Sequence, residues 1–416
     1  MDTVFENVTA VLPDGSALKD AYIGINAGLI TYIGPQPPAE TAANVIDGRG
    51  KVLMPGLTNA HTHLPMTLLR GYADDMDLQT WLFQHIFPAE DKLTGGLVRT
   101  GAQLALMECL ASGTVSVTDM YFFSADIAYA VAESGMKGNL SRPFMAENNE
   151  VRFSEAEELV ARYHGFDNNR IQVDASVHAE YTSGPEIWEA AVRFAQKHGL
   201  RIHTHLSETA REHNECVAKY GLTPTAVFDR HGLFSVPVTA AHCVHITDED
   251  IAILAARGAS AVHNPVSNLK LGSGTARVRA MVKGGVNVAL GTDGAASNNS
   301  LDLFEEMKTA ALLAAGNDPL TATGALRLAT VNGAASQGRN AGQIALGCEA
   351  DLILLDFDQP HLQPLHNVVS SVVYSARGSD VRLTMVNGKI LYRDGEFLTI
   401  DRERVLHETR KAACIF

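Results

Sequence analysis

The sequence predicts an α/β chain, a (β/α)8 TIM barrel carrying a small β-sandwich domain built from both termini. Three observations predict it. Short apolar runs rich in Val, Ile or Ala alternate eight times with longer stretches of helical periodicity. Both ends of the chain consist instead of short strand-like runs broken by turn residues. Finally, several of the apolar runs end in His, Glu or Asp, at the strand ends where a barrel builds its active site.

Residues 1–56 contain Val4–Val8 and Ala21–Ile25 around the turn-rich Pro13-Asp14-Gly15-Ser16, with nothing long enough for a helix. Residues 346–416 repeat that texture in Asp351–Leu355 and in Thr384–Tyr392, whose Asn387-Gly388 suits a hairpin turn. Neither end is large enough to bury a core alone, so the two are expected to share one domain. Residues 57–345 then form the barrel. Its strands are expected within Val52–His63, Val115–Tyr121, Gly135–Phe144, Ile171–His178, Leu200–Glu208, Val238–His245, Ala259–Asn268 and Val286–Gly294. Helices such as Glu155–His164, Pro185–His198 and Leu301–Ala315 separate them. An open doubly wound sheet is the alternative, but the fingerprints G-x-G-x-x-G and G-x-x-x-x-G-K-[ST] are missing.

Composition narrows the function. The 416 residues are 46% hydrophobic and 19% charged, which excludes disordered and collagen-like chains. With 33 Lys+Arg against 47 Asp+Glu the net charge is −14, a field that repels nucleic acid and anionic lipid. The N-terminus lacks a basic segment followed by an apolar one, and no stretch approaches the ~18 apolar residues of a membrane span. Cys109, Cys216, Cys243, Cys348 and Cys414 are odd in number and widely spaced, as expected of a cytoplasmic protein.

The chemistry lies at the strand ends. His61-Thr62-His63 closes the first strand, and residues i and i+2 of a strand share a face, so both imidazoles enter the barrel mouth. Strand five ends in His205-Leu206-Ser207-Glu208, strand six carries His242 and strand eight carries Asp293. Three imidazoles and a carboxylate suit a borderline ion such as Zn²⁺ and leave a position for water.

With these residues in place, the chain resembles the amidohydrolase superfamily, through Pro55–His63, Leu290–Asp293 and Ala350–Ile353. Within it, the chain is most similar to the 5-methylthioadenosine/S-adenosylhomocysteine deaminases, which lie close to the triazine chlorohydrolases. The resemblance implies that His61, His63, His205 and Asp293 bind metal, that Glu208 shuttles protons and that His242 orients the hydrolytic water. Binuclear relatives bridge two ions with a lysine on strand four, and no Lys occurs from Gly138 to Gln196. One divalent ion per chain is therefore expected, most simply Zn²⁺ with Fe²⁺ or Mn²⁺ as alternatives, and only Glu180 is placed to substitute as a bridge.

For the substrate, the resemblance implies that Trp81 and His178 sit beside the nucleoside and that Glu90 holds the ribose hydroxyls. It also implies that Arg142 and Arg152 hold the carboxylate of the larger substrate. Each has a plain structural alternative: core aromatic, solvated helix charge or surface ion pair. Asn268 is expected to support the site, His263 to stay outside the coordination sphere and Asn298-Asn299-Ser300 to cap the helix after Asp293.

The expected activity is hydrolytic deamination of adenine nucleosides modified at the 5′ position, among them 5′-methylthioadenosine, S-adenosylhomocysteine, adenosine and 5′-deoxyadenosine. A triazine chlorohydrolase or aminohydrolase would share the metal site, and a non-catalytic assembly protein would have lost ligands. The only expected partner is the small-molecule substrate, apart from further copies of the chain.

Overall fold

A computed structural model describes residues 1–316 and 319–416. Its centre is a ring of parallel strands formed by two hydrogen-bonded arcs. The first arc holds Leu57–His63, Thr114–Met120, Lys137–Ser141 and Ile171–Val173, and the second holds Ala175–Val177, Ile202–Leu206, Val238–His242, Ser260–His263 and Asn287–Leu290. Three chain segments carry the ladder from arc to arc. Strand three breaks at Arg142 before Pro143–Phe144 pairs with Ser176–Val177, strand four breaks at Asp174, and strand eight breaks at Gly291-Thr292 before Asp293–Gly294 pairs with Thr62–His63. This is the expected barrel, with all eight runs supplying its strands.

Both termini enter one nine-stranded sheet, in which Lys51–Pro55 runs parallel to Thr3–Val11 and antiparallel to Leu352–Asp356. Side-chain alternation divides the work of its two faces. Leu53, Leu352 and Leu354 join Phe5, Ile23 and Met385 in the domain's own core. Their neighbours Val52, Met54, Ile353 and Leu355 pack with the barrel. The expected sandwich is thus a single continuous sheet. Part of the C-terminal stretch also returns to the barrel: the helices Val368–Tyr374 and Arg402–Ala412 bury Val372, Val373 and Val405 in the barrel's core.

Two local expectations are corrected. The run Ala259–Asn268 is strand only to His263, because Pro265 starts the short helix Pro265–Lys270. After Asp293 comes a short helix, Ala295–Asn298, and the longer helix that follows spans Leu303–Leu313, with Asp302 as its cap, whose carboxylate accepts from the Phe304 N–H. Asn298 instead binds the Thr292 carbonyl and Glu306 through Nδ2. Among the described residues no helix is long and apolar enough to cross a membrane.

Candidate metal centre and active site

The C-terminal ends of strands one, five and eight bring four expected donors together, and strand six adds His242 beside them. His61 Nε2 and His63 Nε2 lie 3.3 and 3.2 Å from Asp293 Oδ1. His205 Nε2 lies 3.3 Å from His63 Nε2. In a tetrahedron with bonds of about 2.0–2.1 Å the ligand atoms stand about 3.3–3.4 Å apart, so this spacing fits a zinc-sized ion. His61 Nε2 is moreover buried without a hydrogen-bond partner, as a lone pair kept for a cation would be. The donors form two overlapping groups, His61-His63-His205 and His61-His242-Asp293, and Glu180 belongs to neither.

The opposite nitrogen of each imidazole is anchored, which aims Nε2 at the centre. His63 Nδ1 reaches the Met120 carbonyl at 2.6 Å and His205 Nδ1 the His178 carbonyl at 2.7 Å. His242 Nδ1 lies 2.9 Å from Asn268 Oδ1, so Asn268 supports the site as expected. His61 Nδ1 meets His203 Nε2 at 2.9 Å. Asp293 Oδ2 accepts from the hydroxyls of Ser267 at 2.7 Å and Ser297 at 2.8 Å, leaving Oδ1 for the centre.

The backbone is bent to allow this. Ser207, His242 and Asp293 have φ of 48°, 72° and 62°, left-handed values uncommon outside glycine. Such geometry survives where its surroundings enforce it. At Ser207 the enforcing group is Glu212, whose carboxylate accepts from the N–H groups of Ser207 at 2.8 Å and Glu208 at 2.7 Å.

Electrostatics separates the two carboxylates of the site. Asp293 is buried, yet bonding to His61 and His63 holds it well below the usual range, so it stays ionised. Burial raises Glu208 against the opposing pull of His242, which makes a protonated carboxyl accessible. Glu208 Oε2 lies 3.7 Å from His242 Nε2, and Ser273 Oγ donates to Oε1 at 3.0 Å. Burial, reinforced by neighbouring imidazoles, pushes His205 down.

Above the centre lies a cavity with about 630 Å³ of space free of protein atoms, part of it open to solvent. His63, His205, Glu208, His242 and Asp293 form its floor, and Trp81, Glu90 and His178 line its walls. Trp81 is buried and its Nε1 has no partner, on a segment, Trp81–Ile86, wound as a π-helix. Burial pushes Glu90 up to about 7, beside the Tyr121 hydroxyl that opposes the shift. His178 is pushed down to about 3 by burial and nearby cations, so it is neutral.

Arg142 and Arg152 are not among the lining residues. Both are buried, Arg142 paired with Glu155 and Arg152 bonded to the carbonyls of Glu147 and Pro143. Sequence reasoning missed His203 and Glu212. The repeat of H-x-H in His203-Thr204-His205 could have flagged the first, since both side chains share a strand face. His263 is buried with neither ring nitrogen hydrogen-bonded, and it belongs to neither donor group.

Comparison with known proteins places these features in a family. The amidohydrolase family model matches residues 52–391. A 5′-deoxyadenosine deaminase of Methanosarcina mazei is 44% identical over 422 residues, covering 99% of this chain and 98% of the relative. A 5-methylthioadenosine/S-adenosylhomocysteine deaminase of Caldanaerobacter subterraneus is 42% identical over 424 residues, with the same coverage of 99% and 98%. Among solved structures, an adenosine deaminase from Xanthomonas campestris with bound zinc is 35% identical, with a TM-score of 0.94 over 99% of this chain and 97% of that one. Atrazine chlorohydrolase from Arthrobacter aurescens, 23% identical with a TM-score of 0.93 over 99% and 100% of the chains, shares the fold.

Proposed function

Since the chain belongs to the amidohydrolase family, we propose that it is a metal-dependent aminohydrolase converting 5′-modified adenine nucleosides to inosine analogues and ammonia. The observation that carries this reading is the meeting of Glu208 and His242, 3.7 Å apart, at a cavity also lined by the donors His63, His205 and Asp293 and by Glu90. The names of the relatives support the same substrate class.

His61, His63, His205 and Asp293 would hold one divalent ion per chain, zinc by analogy with the adenosine deaminase structure. Such an ion lowers the pKa of a bound water from 15.7 to about 7 and so supplies a nucleophile at neutral pH. The remaining steps fall to side chains. Asp293, held ionised, accepts a proton from the attacking water. His242, braced by Asn268, orients the attacking oxygen and stabilises charge as C6 becomes tetrahedral. Glu208 donates a proton to ring N1, the proton taken up by Asp293 passes to the amino group so that it leaves as ammonia, and the hydroxyl proton of the tetrahedral adduct returns to Glu208. Glu90 accepts from the ribose hydroxyls, and Trp81 and His178 wall the nucleoside.

Every expected metal ligand is present, which argues against a non-catalytic assembly protein. All five cysteines are free, which supports a reducing, cytoplasmic compartment. The test is to offer zinc-loaded protein methylthioadenosine, adenosylhomocysteine, adenosine, 5′-deoxyadenosine, guanine and a chlorotriazine, following ammonia and chloride. Ammonia is expected from the 5′-modified nucleosides. Chloride from the triazine with no ammonia from any nucleoside would replace this reading with the chlorohydrolase one.

A further inference from the structure

Two arginines stand together in the barrel wall with their charge incompletely balanced. Arg142 and Arg152 are each 8% exposed. Among the described residues the only carboxylate paired with either is Glu155, bonded to Arg142 Nε. Arg152 donates to the carbonyls of Glu147 at 2.8 Å and Pro143 at 3.3 Å, neither of which carries charge. Arg142 Nη1 is buried with no partner at all. Burial and the neighbouring Arg142 together lower Arg152 to about 10, the mark of two cations crowded out of water.

Phe122 touches both this pair and the cavity. Its ring centroid lies 5.3 Å from Arg142 Cζ and 5.8 Å from Arg152 Cζ, within cation–π reach of both. Phe122 also lines the cavity, as do Pro143 and Met145, whereas neither arginine does. The next residue, Phe123, has φ of 50°, so the turn that aims Phe122 is held by its surroundings rather than by local preference.

On the deaminase reading above, the purine lies at Glu208 and the metal centre and the ribose at Glu90. The wall of Phe122, Pro143 and Met145, on the side of the two arginines, is one of the apolar surfaces open to the 5′ substituent. We infer that Phe122 is a specificity-determining residue whose ring closes off the Arg142–Arg152 pair, so that the site takes an apolar 5′ substituent in preference to one ending in a carboxylate.

The test measures kcat/KM for methylthioadenosine and adenosylhomocysteine in wild type, Phe122→Ala, Phe122→Leu and the double variant Phe122→Ala/Arg142→Met. Wild type should favour methylthioadenosine. Phe122→Ala should move the ratio toward adenosylhomocysteine by about 10-fold or more, the size of a hydrogen bond gained to a charged group. Phe122→Leu keeps an apolar cover and should hold the wild-type ratio, and Arg142→Met should cancel the shift in the double variant. An equal loss on both substrates in Phe122→Ala, or a shift that survives Arg142→Met, overturns the inference. Absence of ammonia with wild type from methylthioadenosine, adenosylhomocysteine, adenosine and 5′-deoxyadenosine alike would overturn the deaminase reading itself, which is distinct from a failure confined to the variants.

Discussion

His203 Nε2 lies 2.9 Å from His61 Nδ1, and both rings are fully buried. One nitrogen must donate and the other accept. If His61 is to offer its Nε2 lone pair to an ion, its proton sits on Nδ1 and His203 accepts it. His203 is then neutral, with its own proton on an Nδ1 that has no partner.

Truncating that acceptor should loosen the centre. His203→Ala is expected to weaken zinc binding about 10- to 100-fold, as loss of a group orienting a metal ligand does. Competition with a chelator reads the affinity and circular dichroism checks the fold. His203→Gln, which can place a carbonyl oxygen near the same nitrogen, should recover part of the loss. Unchanged affinity in the alanine variant would mean that His61 needs no orientation from below.

Metal stoichiometry is a separate matter. The described donor groups share His61 and lack a bridging lysine or Glu180, so metal analysis should find close to one equivalent per chain. Stripping the ion should lower the melting temperature, because binding to the folded state alone stabilises it by about 4 kcal/mol at a thousand times Kd. Two equivalents, with activity requiring both, would contradict this.

Glu208→Gln should leave metal content nearly intact and lower turnover by about 10²–10⁴-fold, the usual contribution of a general acid–base group. The amide keeps the size of Glu208 and its contact with the Ser273 hydroxyl but carries no proton to ring N1. Loss of metal, or near-normal turnover, would show that Glu208 has another role.

Much of this centre was legible because strand geometry has a short period. His61 and His63 are two apart on one strand, and His205, His242 and Asp293 close other strands, so barrel order alone brings them to one mouth. His203 was hidden because a histidine inside a strand reads as core until a neighbouring strand is set beside it. Phe122, unlike the two arginines that it meets, was hidden for a different reason. Their contact joins the segments after strands two and three, and sequence spacing says nothing about how two loops meet. The short helix at Pro265 follows its strand with only Asn264 between them, and the proline at its first position marks its start.

Lys137 joins the barrel to the terminal sheet and should be sensitive to substitution. Only 1% of its side chain is exposed, and it pairs with both Glu349 and Asp351 where the chain returns to the sheet. Lys137→Met would leave Asp351, 2% exposed, as an uncompensated buried carboxylate, a change that typically costs 3–5 kcal/mol. Denaturant unfolding should show that loss at neutral pH. A shift under 1 kcal/mol would mean that the carboxylates find other partners.

Glu90 supplies the pH signature. Burial raises its carboxyl to about 7, above the ordinary value of 4.5, so the charged form dominates only above neutrality. As an acceptor from a ribose diol it works best ionised, which sets the sign: kcat/KM for a nucleoside should fall as pH drops through about 7. Glu90→Gln should lack this acidic limb and show a raised KM, with the larger effect above pH 7, where wild type has its charged acceptor. A 2′,3′-dideoxyadenosine analogue should lose the same limb with wild-type protein, because no diol remains to report the charge. An acidic limb that persists unchanged in Glu90→Gln would trace the titration to another group, Glu208 being the other raised carboxyl at the cavity floor.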